Sequence, residues 1–103
     1  MKMKDLTEIT PKVRRRVQER DSWDGHNCCI YCGSPYGVEQ HHFVERSRGG
    51  MGIEQNLVSL CYKCHQRLHS GETAIRNFCW EYLQEKYPDY TERDLIYRKE
   101  DFE

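Results

Sequence analysis

Residues 29–69 read CIYCGSPYGVEQHHFVERSRGGMGIEQNLVSLCYKCHQRLH. This stretch holds four of the six cysteines and four of the five histidines in the chain. Cys29 and Cys32 form one CxxC pair on a tight turn closed by Gly33, and Cys61 and Cys64 form the second. Two such pairs offer four soft ligands with the spacing of a closed tetrahedral zinc site of the structural kind. A single CxxC is equally readable as a redox dithiol, but two at this separation argue for ligands. Cys28 has no partner at CxxC spacing and is read as a bystander, and His26 lies in a polar turn and is given no role.

Helical geometry divides the stretch in two. A helix is expected to begin at the second cysteine pair, which puts His65 and His69 one turn apart on one face. Cys64 is rotated by about 100° from His65 on the same helix. Thiolates and imidazoles therefore point to different places, and two sites follow. Upstream, Val38 to Val44 reads as a strand or hairpin, so the adjacent His41 and His42 face opposite sides. One can bind a metal while the other stays free, and a neutral imidazole with pKa near ~6.5 is suited to take a proton from water.

The remainder of the chain reads as support. With 103 residues and 37% apolar composition there is room for one small domain with little core, so a metal staple is expected. The polar start, MKMKDLTEIT, contains no apolar segment of the secretory kind, and no run approaches the ~20 residues of a membrane span. A reduced, cytoplasmic setting in a bacterial or phage-infected cell is the expectation. The net charge of −1 conceals a gradient: residues 1–20 carry +4, residues 21–84 carry −2 and residues 85–103 carry −3. A basic arm favours a polyanion approached from one side, set against the plainer reading of a solvated helix face.

Thr10-Pro11 signals a helix over 11–20, with Val13 and Val17 inward and Lys12, Arg14, Arg15, Arg16 and Arg20 mostly exposed. Asp24-Gly25 is a turn, and Gly49, Gly50 and Gly52 make residues 47–52 a loop. Ile75, Phe78, Cys79, Tyr82 and Leu83 repeat at helical spacing, predicting a core-packing helix over 72–87 that stops before Pro88. Thr91 and Asp94 form a weak capping box for a last helix over 91–98.

Taken in order, C-x2-C, H-H, G-G, N-L and L-C-x2-C-H-x3-H resemble the HNH endonucleases over roughly residues 20–70. The resemblance implies an α+β chain with the small ββα-metal (His-Me finger) fold, zinc knuckles and flanking helices, in which a hairpin and a helix surround one divalent ion. It implies His42 as general base, His41 and His65 as metal ligands, and Asn56 as the residue that fixes the hairpin loop. His69 corresponds to the last histidine of the H-x3-H variants, a ligand or phosphate contact. Glu45 departs from the family, where many members carry proline.

The activity implied is hydrolysis of DNA phosphodiesters with Mg2+ or another divalent ion such as Mn2+ or Ni2+, leaving 5′-phosphate and 3′-hydroxyl. Arg46 and Arg48, just after the base, and Arg14, Arg15 and Arg16 are the candidate phosphate contacts, and such contacts give affinity without sequence readout. Specificity is then left to a partner protein such as a phage terminase, in a packaging, restriction or mobile-element setting. The competing readings are a non-catalytic zinc-stapled nucleic-acid-binding module, for which His42 and Asn56 have no use, and a thiol redox protein, which leaves the histidines unexplained.

Overall fold

A computed structural model describes residues 3–98. Its elements in order are helices α1 (Met3–Thr7) and α2 (Pro11–Arg20), strands β1 (Ser22–Trp23), β2 (His26–Asn27), β3 (Val38–His42) and β4 (Leu57–Cys61), and helices α3 (Tyr62–His69) and α4 (Thr73–Lys86). Single 3-10 turns occupy Arg46–Arg48, Glu54–Asn56 and Glu92–Leu95. The small mixed fold, a two-stranded antiparallel ribbon followed directly by a helix, is of the ββα type that the sequence pattern implies.

The ribbon is the centre. β3 pairs with β4 from Val38↔Cys61 to His42↔Leu57, and every residue of β4 is buried. Val58 and Leu60 pack in one cluster with Phe43, Val44, Ile75, Cys79, Leu83 and Leu95, which joins the ribbon to α4 and the last turn. Val17 turns inward from α2, whose first amides are capped by the Thr10 hydroxyl accepting from the Val13 N–H at 3.2 Å. None of the helices of the described residues is long and apolar enough to cross a membrane.

A buried ribbon of two strands has one open edge on β4, and its backbone groups need partners there. This requirement corrects the reading of Arg20 as a surface residue: its side chain is only 11% exposed. The guanidinium donates to the Leu57 carbonyl at 2.6 Å and the Glu54 carbonyl at 2.9 Å, and grips Asp21 through Nε and Nη2 at 2.7 and 2.9 Å. Asp21 accepts the Ser59 amide at 3.1 Å and the Tyr82 hydroxyl, and Ile30 donates to the Ser59 carbonyl at 2.9 Å. The edge of β4 is thus sealed by side chains and one loop amide instead of a third strand.

The expected last helix over 91–98 is corrected too. The Thr91–Asp94 capping box forms, but only a 3-10 turn over Glu92–Leu95 follows, and Ile96 is extended. The chain here pairs with the glycine loop instead. The Met51 amide donates to Leu95, the Tyr97 amide donates to Gly49 at 2.6 Å, and Gly50 bridges Ile96. Within that loop, a side chain on Gly50 would stand 1.7 Å from the Val44 carbonyl oxygen, so only glycine permits the close turn.

Candidate active site and metal centre

Cys29 and Cys32 sit on the loop before β3, Cys61 ends β4 and Cys64 lies in the first turn of α3. Their four sulfurs all fall within 4.8 Å of one another, with Cys32 Sγ 3.6 Å from Cys61 Sγ. Sulfurs around a tetrahedral ion with bonds of ~2.3 Å stand ~3.8 Å apart, so the cluster has the size for a metal such as zinc. Its protonation chemistry asks for a cation as well. Burial raises the Cys29 thiol, yet backbone hydrogen bonds from Cys32, Cys61 and Tyr31 outweigh that and bring it down to about 7. Cys64 is driven the other way by burial and by its crowding against the other three sulfurs. Four thiols this close cannot all ionise unless a positive ion joins them.

The imidazoles gather on the other side of α3. His41 points to α3, where its ring lies flat against that of His65, centroids 3.6 Å apart and planes within 7°. His65 is 6.2 Å from His69, whose Nδ1 is 3.5 Å from a carboxylate oxygen of Glu45. Among the described residues, no trio that includes these histidines brings its ligand atoms within 4.8 Å of one another. The site therefore offers His41 and His65 as a pair, and their stacked rings must turn before both lone pairs meet one ion. Two neutral imidazoles with room for water and phosphate fit a borderline divalent cation. Both are held neutral: burial, then the neighbouring His65, His42 and Arg14, push His41 down to about 4, and burial then His69 lower His65.

His42 ends β3 on the opposite face, where its Nε2 is 2.6 Å from the Thr7 carbonyl oxygen. A carbonyl only accepts, so the ring proton is on Nε2 and Nδ1 carries the lone pair. Burial lowers the His42 pKa, as do Arg46 and Arg14, against the Thr7 contact. One cleft is lined by His42, Glu45, Arg48, His65, His69 and Arg76. Neither Thr7 nor Arg76 was among the sequence candidates. Arg76 lies on the outer side of a core helix, over the Phe43 ring and 2.5 Å from Glu92, a position that periodicity reads only as solvated.

Asn56 is fully buried. Its Oδ1 accepts the Val44 amide at 2.8 Å, and its Nδ2 donates to the carbonyls of Val44 at 3.2 Å and Met51 at 2.9 Å. One side chain thereby ties both ends of the loop between residues 44 and 51, directly after His42. Asn56→Ala removes three hydrogen bonds and strands buried backbone groups, so a loss of about 2–4 kcal/mol is expected. Urea unfolding checks this, and a loss below ~1 kcal/mol would show that the loop holds without the amide.

The arginine candidates divide. Arg48 lines the cleft, and Arg46 and Arg15 are exposed. Arg14 instead donates to Gln40 at 3.1 Å and Arg16 pairs with Glu54 at 2.7 Å, so part of the basic arm is spent on holding α2 to the ribbon.

Residues 29–71 match the family profile described as HNH endonuclease. The chain is also similar to three proteins whose names are informative. Anaredoxin of Nostoc sp. is 28% identical over 71 residues, covering 68% of this chain and 93% of that protein. The type IV methyl-directed restriction enzyme EcoKMcrA of Escherichia coli is 40% identical over 52 residues, 48% of this chain and 18% of that one. The CRISPR-associated endonuclease Cas9 of Corynebacterium diphtheriae is 33% identical over 73 residues, 61% of this chain and 7% of that one. The chain thus spans most of anaredoxin and less than a fifth of the two nucleases. The matched segment contains both cysteine pairs, the His41-His42 strand end, Asn56 and the α3 histidines, so it is over residues 29–71 that this chain is similar to the HNH endonucleases.

Proposed function

We propose that the protein is a metal-dependent DNA endonuclease that hydrolyses phosphodiester bonds and leaves 5′-phosphate and 3′-hydroxyl ends. The observation that carries this reading is the state of His42: neutral, protonated on Nε2 by its contact with Thr7, and so bearing an acceptor on Nδ1 in a cleft with His65, Arg48 and Arg76. His42 accepts a proton from the attacking water as general base. Arg48, which lines the cleft, holds backbone phosphate and supplies affinity without sequence readout. Asn56 keeps the loop that carries Arg46 and Arg48 closed behind the base. His41 and His65 would hold a divalent ion, which when bound would supply Lewis-acid stabilisation of the phosphoryl charge. Cys29, Cys32, Cys61 and Cys64 would hold zinc, which would serve the fold.

The naming of one relative as a redoxin raises the thiol reading again. Here all four thiols lie within 4.8 Å of one another in one cluster, instead of forming two separate dithiols, which favours ligands. The nuclease reading is tested by stripping divalent ions with EDTA, restoring Mg2+, Mn2+ or Ni2+, and following conversion of supercoiled plasmid to nicked circles. An imidazole pair suits Mn2+ or Ni2+ better than Mg2+, so faster nicking is expected with those two. Absence of nicking with every ion would refute the proposal.

A further inference from the structure

We propose that the Thr7 carbonyl, carried on the N-terminal segment over residues 3–9, is part of the active site as the positioning group for His42. This rests on His42 being the base, but the contact itself does not. The ring's hydrogen bond comes from 35 residues earlier in the chain, outside the segment that matches the HNH profile. The carbonyl fixes two things at once: the proton on Nε2, and the rotation of the ring that turns Nδ1 away from Thr7.

The segment is itself held by backbone contact. The Gly52 amide donates to the Leu6 carbonyl at 2.9 Å. A Cβ on Gly52 would lie 2.0 Å from the Glu8 carbonyl oxygen and 3.0 Å from the Ile9 nitrogen. Glycine at 52 is therefore what lets the loop and the arm meet main chain to main chain. Thr7 is 2% exposed at this junction. The base is thus clamped between the arm and the loop that Asn56 ties, and one glycine joins the two.

Two full-length variants move the carbonyl by different routes. Gly52→Ala forces the Glu8–Ile9 backbone off the loop. Glu8→Pro leaves the loop alone and drives Thr7 out of its helical conformation, because the proline ring disfavours that region for the preceding residue. Glu8→Ala is the control, since Glu8 is exposed and its replacement leaves the carbonyl in place. Plasmid nicking is measured as kcat and KM beside bound zinc, thermal melting and the 15N shifts of the His42 ring. The expected result is a fall in kcat of about 10- to 100-fold in Gly52→Ala and Glu8→Pro with KM little changed, zinc and melting retained, and loss of the Nε2–H pattern at His42. Wild-type kcat in both variants overturns the proposal. A fall that accompanies loss of zinc or of cooperative melting, or that leaves the His42 shifts unmoved, also overturns it and makes the segment purely structural. If the wild type nicks nothing, the nuclease reading fails, while the ring shifts of wild type against variants still decide whether Thr7 holds His42.

Discussion

Cys61→Ser is expected to lose the bound zinc and to unfold the domain. Cys61 is the last residue of β4 and the cap of α3, buried to 8% exposure, and its sulfur faces Cys32 on the other knuckle. Serine keeps the volume but offers a hard, protonated oxygen where a soft thiolate is needed. The three remaining thiols cannot close the site. Structural zinc contributes binding free energy on the order of 10 kcal/mol, comparable with the whole stability of about 5–15 kcal/mol of a small domain. Here the loss has no substitute, because Cys29, Cys61 and Cys64 are themselves members of the core cluster. Far-UV circular dichroism with metal analysis checks the result. A Cys61→Ser protein that melts cooperatively with one zinc per chain would refute the structural site. His65→Ala provides the contrast. Its ring faces His41 and the cleft, so fold and zinc should survive while nicking falls, and equal unfolding of both variants would mean that the ligands divide differently.

Legibility in the sequence follows the range of the interaction. The two CxxC pairs announce the thiolate cluster, because ligand spacing on a knuckle is local chemistry. Thr10-Pro11 announces α2 for the same reason, and the apolar period announces α4, whose bounds Thr73–Lys86 lie within a residue of the expected 72–87. The separation of Cys64 from His65 follows from the turn of one helix, and α3 carries it out. What the residues do not disclose depends on which segments meet. Arg20 belongs to a basic helix face until the open edge of β4 arrives beside it and accepts its hydrogen bonds. Ile96 and Tyr97 continue a helical pattern until the glycine loop offers them backbone partners. The stacking of His41 on His65 and the contact of His42 with Thr7 are likewise products of assembly. The identity of the histidines is local information, but their protonation and aim are not.

His42→Ala should reduce nicking by about 10²- to 10⁴-fold in kcat, the range that a positioned general base contributes, and leave zinc content unchanged. The argument turns on which imidazole can accept a proton. The stacked pair His41 and His65 is the set available to an ion, and an imidazole that lends its lone pair to a cation has none left for water. His69 is mostly exposed, and its Nδ1 is taken up by the Glu45 carboxylate 3.5 Å away. Among the described residues, His42 alone combines an Nε2 proton held by a carbonyl, an Nδ1 lone pair and a neutral ring in the cleft. Removing the ring should barely affect the ribbon, since the backbone pairing of residue 42 with Leu57 persists. The decisive measurement is the single-turnover rate with saturating Mn2+ on supercoiled plasmid, beside a melting curve and a DNA-binding isotherm. The expected pattern is a slow reaction on normally bound DNA. A variant that nicks at the wild-type rate would dismiss His42 as base, and the proton acceptor would then have to be found among the other groups of the cleft, Glu45 and His69 first.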